Sequence, residues 1–362
     1  MPSPPPPPTY DEATLADLSI ELAARLGVPA TRHLAAEVAS VLPEGSGTVV
    51  VLFDGLGTHQ LGHPAAGPLA EDLAATIDTV FPTTTTVALA TVATGLPPSR
   101  HGLLGYHLWL PEVGEVVNTI RWTTPWGEPV GVDTVGFLPT PNLWERLAAS
   151  GIEPITIQPA AFSGSPLSRL LYRGCRFEPV ASLDEAAHAA LQLAGPGRFV
   201  LVYCNDVDVA AHEAGQTSSS YAEALGRAAK LWDRLRTGLP PDVGLVGTAD
   251  HGHVDVPERR RYRLPAELQA ERILYGDSRV LFVRGPAIDD SDLPATWLPF
   301  AAVSDWWGPG PRHPSFEVRR PDGVLVADDG WVVLHRHANP RLVGHHGGLS
   351  PPERRIPVLA RR

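Results

Sequence analysis

Five short stretches of the chain bring carboxylates, imidazoles and hydroxyls together at spacings that could hold metal ions. The apolar run Thr48 to Phe53 ends in Asp54-Gly55-Leu-Gly57. A carboxylate placed before glycines suits a screened cation, although a turn or cap residue would look the same. Phe81-Pro82-Thr83-Thr84-Thr85-Thr86 opens a small-residue stretch that closes at Gly95. A hydroxyl in that opening turn would stand at a helix N-terminus, where backbone N–H groups favour an anion, and any one of the four threonines could equally be the N-cap. Asp208 and His212 are four residues apart, so on a helix they share a face and can ligate one cation or pair with each other. Asp250-His251-Gly252-His253 follows the apolar run Val243 to Val246 closely. A carboxylate beside an imidazole after a buried strand is costly without a cation. Gly344-His345-His346-Gly347-Gly348 presents a histidine pair between glycines, which also fits a surface loop.

Taken in chain order, the six nitrogen or oxygen ligands divide into two sets of three, with a hydroxyl between them. That is the ligand arithmetic of a two-metal phosphoryl-transfer site. Two divalent cations would carry the formal net charge of −11 by +4 to −7.

These residues need a scaffold that presents strand ends. Apolar runs recur at Thr48 to Phe53, Pro154 to Ile157, Phe199 to Tyr203, Val243 to Val246 and Val280 to Val283. Helix-like, alanine-rich stretches accompany them at Asp17 to Leu26, Leu143 to Ala149 and Tyr221 to Leu235. This alternation predicts an α/β fold with a parallel sheet covered on both faces, in which ligands bind beyond the carboxyl ends of the strands. Two stretches break the rhythm: residues 103–140, with a hairpin-like Leu110 to Val117, and residues 254–340, with a late strand pair near Gly323 to Leu334. Both read as insertions on one core.

Composition excludes several classes. Hydrophobic residues make up 43% of the 362 residues and charged residues 19%, enough for a packed core. An acidic chain is no general binder of nucleic-acid polymers. No apolar run is long enough to span a membrane. Lys230 is the only lysine, in Ala-Ala-Lys-Leu-Trp, so a Walker-A loop is missing. Gly55-Leu-Gly57-Thr-His-Gln60 lacks the third glycine of a dinucleotide loop. Cys175 and Cys204 cannot form a disulfide framework, and Cys204 reads as a buried thiol. The proline-rich start has no basic or apolar segment of a secretory signal. The expectation is a cytoplasmic protein with a flexible tail over residues 1–12.

The ordered motif set resembles the alkaline phosphatase superfamily, and within it the type I phosphodiesterase/nucleotide pyrophosphatase group, from about Thr48 to the C-terminus. In that group a Pro-x-x-Thr carries the nucleophile ten residues before the glycine of a Thr-Gly. Counting back from Gly95 gives Thr85, with Pro82 in register. Tyr-x-x-x-x-Asp-x-x-x-His-x-x-Gly matches Tyr203, Asp208, His212 and Gly215. Ser-Asp-His-Gly stands here as Ala249-Asp250-His251-Gly252, and the closing His-Gly matches His346-Gly347 in preference to His345.

The resemblance implies a three-layer α/β/α sandwich with a mostly parallel sheet, as one catalytic domain over residues 13–362. It implies one metal on Asp208, His212 and His346, and a second on Asp54, Asp250 and His251, with Thr85 as exchangeable ligand. Zinc is usual in the family, and manganese or iron also fit these ligands. The implied activity is a phosphodiesterase or nucleotide pyrophosphatase working on a small phosphate ester through a phosphothreonine-type intermediate. One departure bears on substrate choice. The asparagine that follows the nucleophile by 21 positions in eukaryotic members is Tyr106 here. Tyr106 and His107 are the expected substrate contacts, while Trp109, Trp122 and Trp126 either line the pocket or pack the insertion. Alternatives on the same core are a phosphomonoesterase or a phosphonate hydrolase. A metal- or phosphate-binding pseudoenzyme would be expected to have lost a ligand or the threonine, and by this alignment none is missing. Cys175-Arg-Phe-Glu-Pro does not fit the sulfatase motif.

Overall fold

The computed structural model describes residues 6–134, 136–288 and 292–361. Its centre is a seven-stranded sheet of β1 (Gly47–Phe53), β2 (Leu73–Asp78), β3 (Glu153–Pro159), β4 (Arg176–Val180), β5 (Arg198–Cys204), β6 (Val243–Thr248) and β7 (Arg355–Ala360). The spatial order is β2-β7-β6-β1-β5-β3-β4. Strands β6, β1, β5, β3 and β4 run parallel, and β7 is antiparallel to both its neighbours.

All seven residues of β1 are buried, which is why its apolar run is continuous and not alternating. Val50 and Leu52 face Leu18, Leu22, Val92 and Trp144, carried by the helices Leu15–Ala24, Thr85–Thr94 and Leu143–Ala149. Phe53 points to the other face and meets Trp232 of the helix Ser219–Gly238 edge-on at 6.3 Å. Helices therefore close both faces, and the expected α/β/α layering is present.

Three expectations need correction. Val280 to Val283 does not join the central sheet. It lies in Val280–Arg284 of a separate four-stranded antiparallel sheet, with Ile273–Gly276, Gly323–Ala327 and Ala295–Pro299. A short apolar run carries no information about which sheet it enters. The strands near Gly323 to Leu334 do not pair with each other: Gly323–Ala327 pairs within that second sheet, and Val332–Leu334 runs parallel to Arg261–Arg263. Residues 1–5 of the expected tail lie outside the described residues, and the rest of it is tied down. The Pro7 carbonyl accepts from Arg354 at 3.2 Å. Tyr10 is buried, donates to the Trp306 carbonyl at 3.0 Å and accepts from the Phe81 N–H at 3.1 Å. One aromatic side chain with two hydrogen bonds is enough to anchor a proline-rich segment.

The hairpin expected within 110–117 is formed by His107–Leu110 and Glu115–Asn118. Cys175 and Cys204 are both unpaired, and Cys204 is buried. Among the described residues no helix is long and apolar enough to cross a membrane.

Candidate metal centre

The carboxyl ends of β1, β5 and β6 lie side by side in register. Each chain continuation drops its polar residues at the same edge: Asp54 after β1, Asp208 and His212 after β5, Asp250 and His251 after β6. The turn at Gly55 needs its glycine: φ is +74°, and a Cβ there would come within 2.8 Å of the His253 ring.

Asp54, Asp250 and His251 are buried at 2%, 0% and 0% exposure. One oxygen of each carboxylate is fully used. Asp54 Oδ2 accepts the Tyr203 hydroxyl, and Asp250 Oδ1 accepts the N–H groups of Gly55 at 3.0 Å and His251 at 2.9 Å. The other two oxygens, Asp54 Oδ1 and Asp250 Oδ2, are buried without a partner. Both point at His251 Nε2, 3.5 and 3.4 Å away. His251 Nδ1 donates to the Gly252 carbonyl at 3.1 Å, so the Nε2 lone pair faces the two orphaned oxygens. Burial, then the neighbouring Asp208 and Asp250, pushes Asp54 well above the usual carboxylate range, and burial raises Asp250. Three converging lone pairs are unfavourable without a cation and fit one well.

A second group is built the same way. Asp208 and His212 share one face of the helix Asp206–Ala214, with Asp208 Oδ1 3.4 Å from His212 Nε2. His346 Nε2 stands 3.2 Å from His212 Nε2. The Nδ1 atoms donate to the Gly344 carbonyl at 2.8 Å and the Thr83 carbonyl at 2.9 Å. Both Nε2 lone pairs are thereby turned toward each other. Hydrogen bonds of this kind fix the tautomer of metal-ligating histidines. Burial alone would raise Asp208, but His212, His253 and His346 hold it below the usual carboxylate range. Burial, then His251 and His212, depresses His346. Asp54–Asp250–His251 and Asp208–His212–His346 are both close enough to hold an ion.

The structure also sorts the four threonines. Thr83 staples the glycine-rich loop, taking the Gly347 N–H on its hydroxyl at 3.0 Å and donating to the Gly348 carbonyl at 3.0 Å. Thr84 is the N-cap of the helix Thr85–Thr94. Thr86 accepts from Thr119 at 2.9 Å. Thr85, at the first position of that helix, reaches the first candidate ligand group: its Oγ1 is 3.2 Å from His251 Nε2.

A cleft of about 600 Å³ opens beside Thr85 and is lined by Tyr106, His107 and Asn118. Of the tryptophans, Trp122 is buried against Phe137, whereas Trp126 is 70% exposed and meets His337 edge-on at 4.6 Å. His345 points away from the two ligand groups: its Nδ1 pairs with Ser278 at 3.0 Å and its Nε2 donates to Leu342 at 3.1 Å.

Two residues were not singled out from the sequence. His253 is buried and its Nε2 donates to Asp208 Oδ1 at 2.8 Å; its place in Asp250-His251-Gly252-His253 was the available signal. Asp277, 8% exposed, enters the cleft wall beside Gly347 with Oδ2 unpartnered. No local pattern marks it.

The sequence profile of the type I phosphodiesterase/nucleotide pyrophosphatase family matches residues 48–275. The chain belongs to this family. Murine ectonucleotide pyrophosphatase/phosphodiesterase 5 shares the fold, with a TM-score of 0.67 over 86% of this chain and 87% of its own at 17% identity. Phosphonoacetate hydrolase from Sinorhizobium meliloti, solved with phosphonoacetate, gives 0.63 over 89% and 91% at 17% identity. No curated protein matches the sequence. As a type I phosphodiesterase/nucleotide pyrophosphatase relative, the protein is a metal-dependent phosphoester hydrolase.

Proposed function

We propose that the protein is a two-metal phosphodiesterase/nucleotide pyrophosphatase with Thr85 as nucleophile. Asp208, His212 and His346 would hold one divalent cation, and Asp54, Asp250 and His251 a second, with zinc the first choice and manganese or iron compatible with the ligands. The observation that carries this reading is the convergence of the free donor atoms of Asp54, Asp250 and His251 beside the Thr85 hydroxyl.

Divalent cations at these groups would supply Lewis-acid charge that lowers the pKa of a hydroxyl and offsets charge on phosphoryl oxygens. Thr85 ionises and attacks phosphorus in line. The new bond is Oγ1–P, the threonine proton goes to solvent, the bond to the ester oxygen breaks with that oxygen taking a proton from solvent as the alcohol leaves, and water then cleaves Oγ1–P in the phosphothreonine intermediate to restore the Thr85 hydroxyl. Backbone N–H groups at the start of the helix Thr85–Thr94 face the phosphoryl oxygens. Tyr203 and the N–H groups of Gly55 and His251 hold the carboxylates in position throughout.

The test compares bis(p-nitrophenyl) phosphate with p-nitrophenyl phosphate on zinc-dialysed protein, with and without chelator. A chelator-sensitive preference for the diester is expected. Thr85→Ala is expected to lose roughly 10³-fold or more in turnover while keeping its metal content. Near-wild-type rates in that variant would remove Thr85 from the mechanism. A second reading, a phosphonate hydrolase, draws support from the phosphonoacetate hydrolase neighbour, and phosphonoacetate cleavage outpacing the diester would favour it.

A further inference from the structure

We infer that the organic group carried by the substrate phosphate is uncharged and hydrogen-bonding, so that diesters of uncharged alcohols are favoured over substrates bearing a second phosphate or a carboxylate. The inference rests on the phosphoester-hydrolase reading and narrows the proposed phosphodiesterase/nucleotide pyrophosphatase to its phosphodiesterase side.

It comes from the charge inventory of the cleft. Among the described residues lining it, Arg121 is the only arginine or lysine, and it sits exposed at the lip. The acidic groups outside the ligand sets are Glu213 and Asp277. Two divalent ions against the three carboxylates Asp54, Asp208 and Asp250 leave one net positive charge, which the reacting phosphoryl group already takes up. Sites that clamp a second phosphate or a carboxylate are built from arginine and lysine forks, and a lone exposed guanidinium is screened by salt.

The wall is instead made of neutral hydrogen-bonding groups. Burial holds His107 down to about 4 and His335 well below the usual imidazole range, so both are uncharged at neutral pH. His335 Nδ1 accepts the His337 N–H at 3.3 Å, which places its proton on Nε2. Asn118 donates to the Tyr106 hydroxyl at 2.8 Å, leaving the Tyr106 proton to be donated elsewhere. Burial, reinforced by Glu353 and opposed by the neighbouring Thr84 hydroxyl, pushes Asp277 up to about 8, and its Oδ2 makes no well-formed hydrogen bond in the protein. A buried polar atom left open in a cleft is costly until an occupant pairs with it. The lip is apolar: Ile120 and Val209, 41% and 42% exposed, border the opening.

Thymidine 5′-(p-nitrophenyl phosphate) and its 3′-phosphorylated counterpart (below, the diphosphate) test this, because both release p-nitrophenol and they differ only in the second phosphate. On metal-loaded protein, kcat/KM for the p-nitrophenyl ester is expected to exceed that for the diphosphate, and that for phosphonoacetate, by about 100-fold. The Thr85→Ala protein is expected to bind the ester about tenfold more tightly than the diphosphate. Ile120→Arg, which adds a cation at an exposed position, is expected to narrow the ester-to-diphosphate ratio several-fold. Equal or better hydrolysis of the diphosphate or phosphonoacetate overturns the inference and leaves the phosphoester-hydrolase reading standing. A ratio unmoved by Ile120→Arg overturns the charge argument. Failure to hydrolyse any of the three overturns both readings.

Discussion

His253→Ala is expected to weaken one metal site and spare the other. The imidazole is buried, and burial holds it down to about 4, so at neutral pH it is a neutral donor. Its Nε2 gives Asp208 Oδ1 a 2.8 Å hydrogen bond, shorter than the 3.4 Å separating that oxygen from His212. A hydrogen bond to a charged group is worth about 1.5–3 kcal/mol. Through the relation of about 1.4 kcal/mol per tenfold, its loss corresponds to roughly 10- to 150-fold in affinity at the Asp208–His212–His346 site. The Asp54–Asp250–His251 site keeps its own supports, Tyr203 and two backbone N–H groups. The assay is zinc competition against a chromophoric chelator, resolving two affinities per protein. His253→Gln, whose amide nitrogen can stand near Nε2, is expected to recover most of the loss. The reasoning fails if both sites weaken alike, or if neither changes. A loss beyond roughly 10³-fold at one site would mean that His253 is itself a ligand, a role its proximity to Asp208 and His251 also permits.

Asp277 gives a pH signature. Its carboxyl is raised from 3.8 to about 8 in the folded protein, so the folded state binds the extra proton between those values. Stability must therefore fall as pH rises through that window and level off above it. Relative to Asp277→Asn, wild-type protein should lose at most about 4 kcal/mol between pH 5 and pH 8, read as the change in the melting-temperature gap between the two proteins; a gap that does not move contradicts the shift. Tyr10→Phe strands the Phe81 N–H and the Trp306 carbonyl, and urea denaturation should show a loss of about 1–3 kcal/mol, whereas an unchanged midpoint would mean that water replaces the hydroxyl.

The legible part of the molecule was the part in which neighbours in sequence are neighbours in space. The run before Asp54, the four-residue spacing of Asp208 and His212, and the Asp250-His251 pair each report a strand end through local pattern alone, and parallel strands align such ends at one edge. The four threonines show where local pattern stops. Thr83, Thr84, Thr85 and Thr86 are chemically alike, and their separate duties are set by partners as distant as Thr119, Gly348 and His251. Strand β7, with Pro357 in its middle, reads poorly as a strand because its pairing with β2 and β6 is entirely long-range. Asp277 is invisible for the same reason: its position depends on a second sheet that a single apolar run, Val280 to Val283, could not specify.

That second sheet connects fold to the proposed selectivity. Asp277 directly follows strand Ile273–Gly276, and strand Val280–Arg284 begins three residues later. Between them Arg279 makes a buried ion pair with Glu353 at 3.2 Å. Glu353 also accepts the Gly348 N–H at 2.8 Å, next to the loop that carries His346. One buried pair thus ties the cleft wall to the loop bearing His346, a proposed metal ligand. The close fit of Asp277 against Gly347, where φ is +102° and a Cβ would come within 2.4 Å of the aspartate, leaves no slack in that tie. A side chain at Gly347 would displace Asp277 and His346 together. Changes that reshape the cleft for another substrate are therefore better placed on the exposed lip at Ile120 or Arg121, where the proposed metal ligands do not have to move.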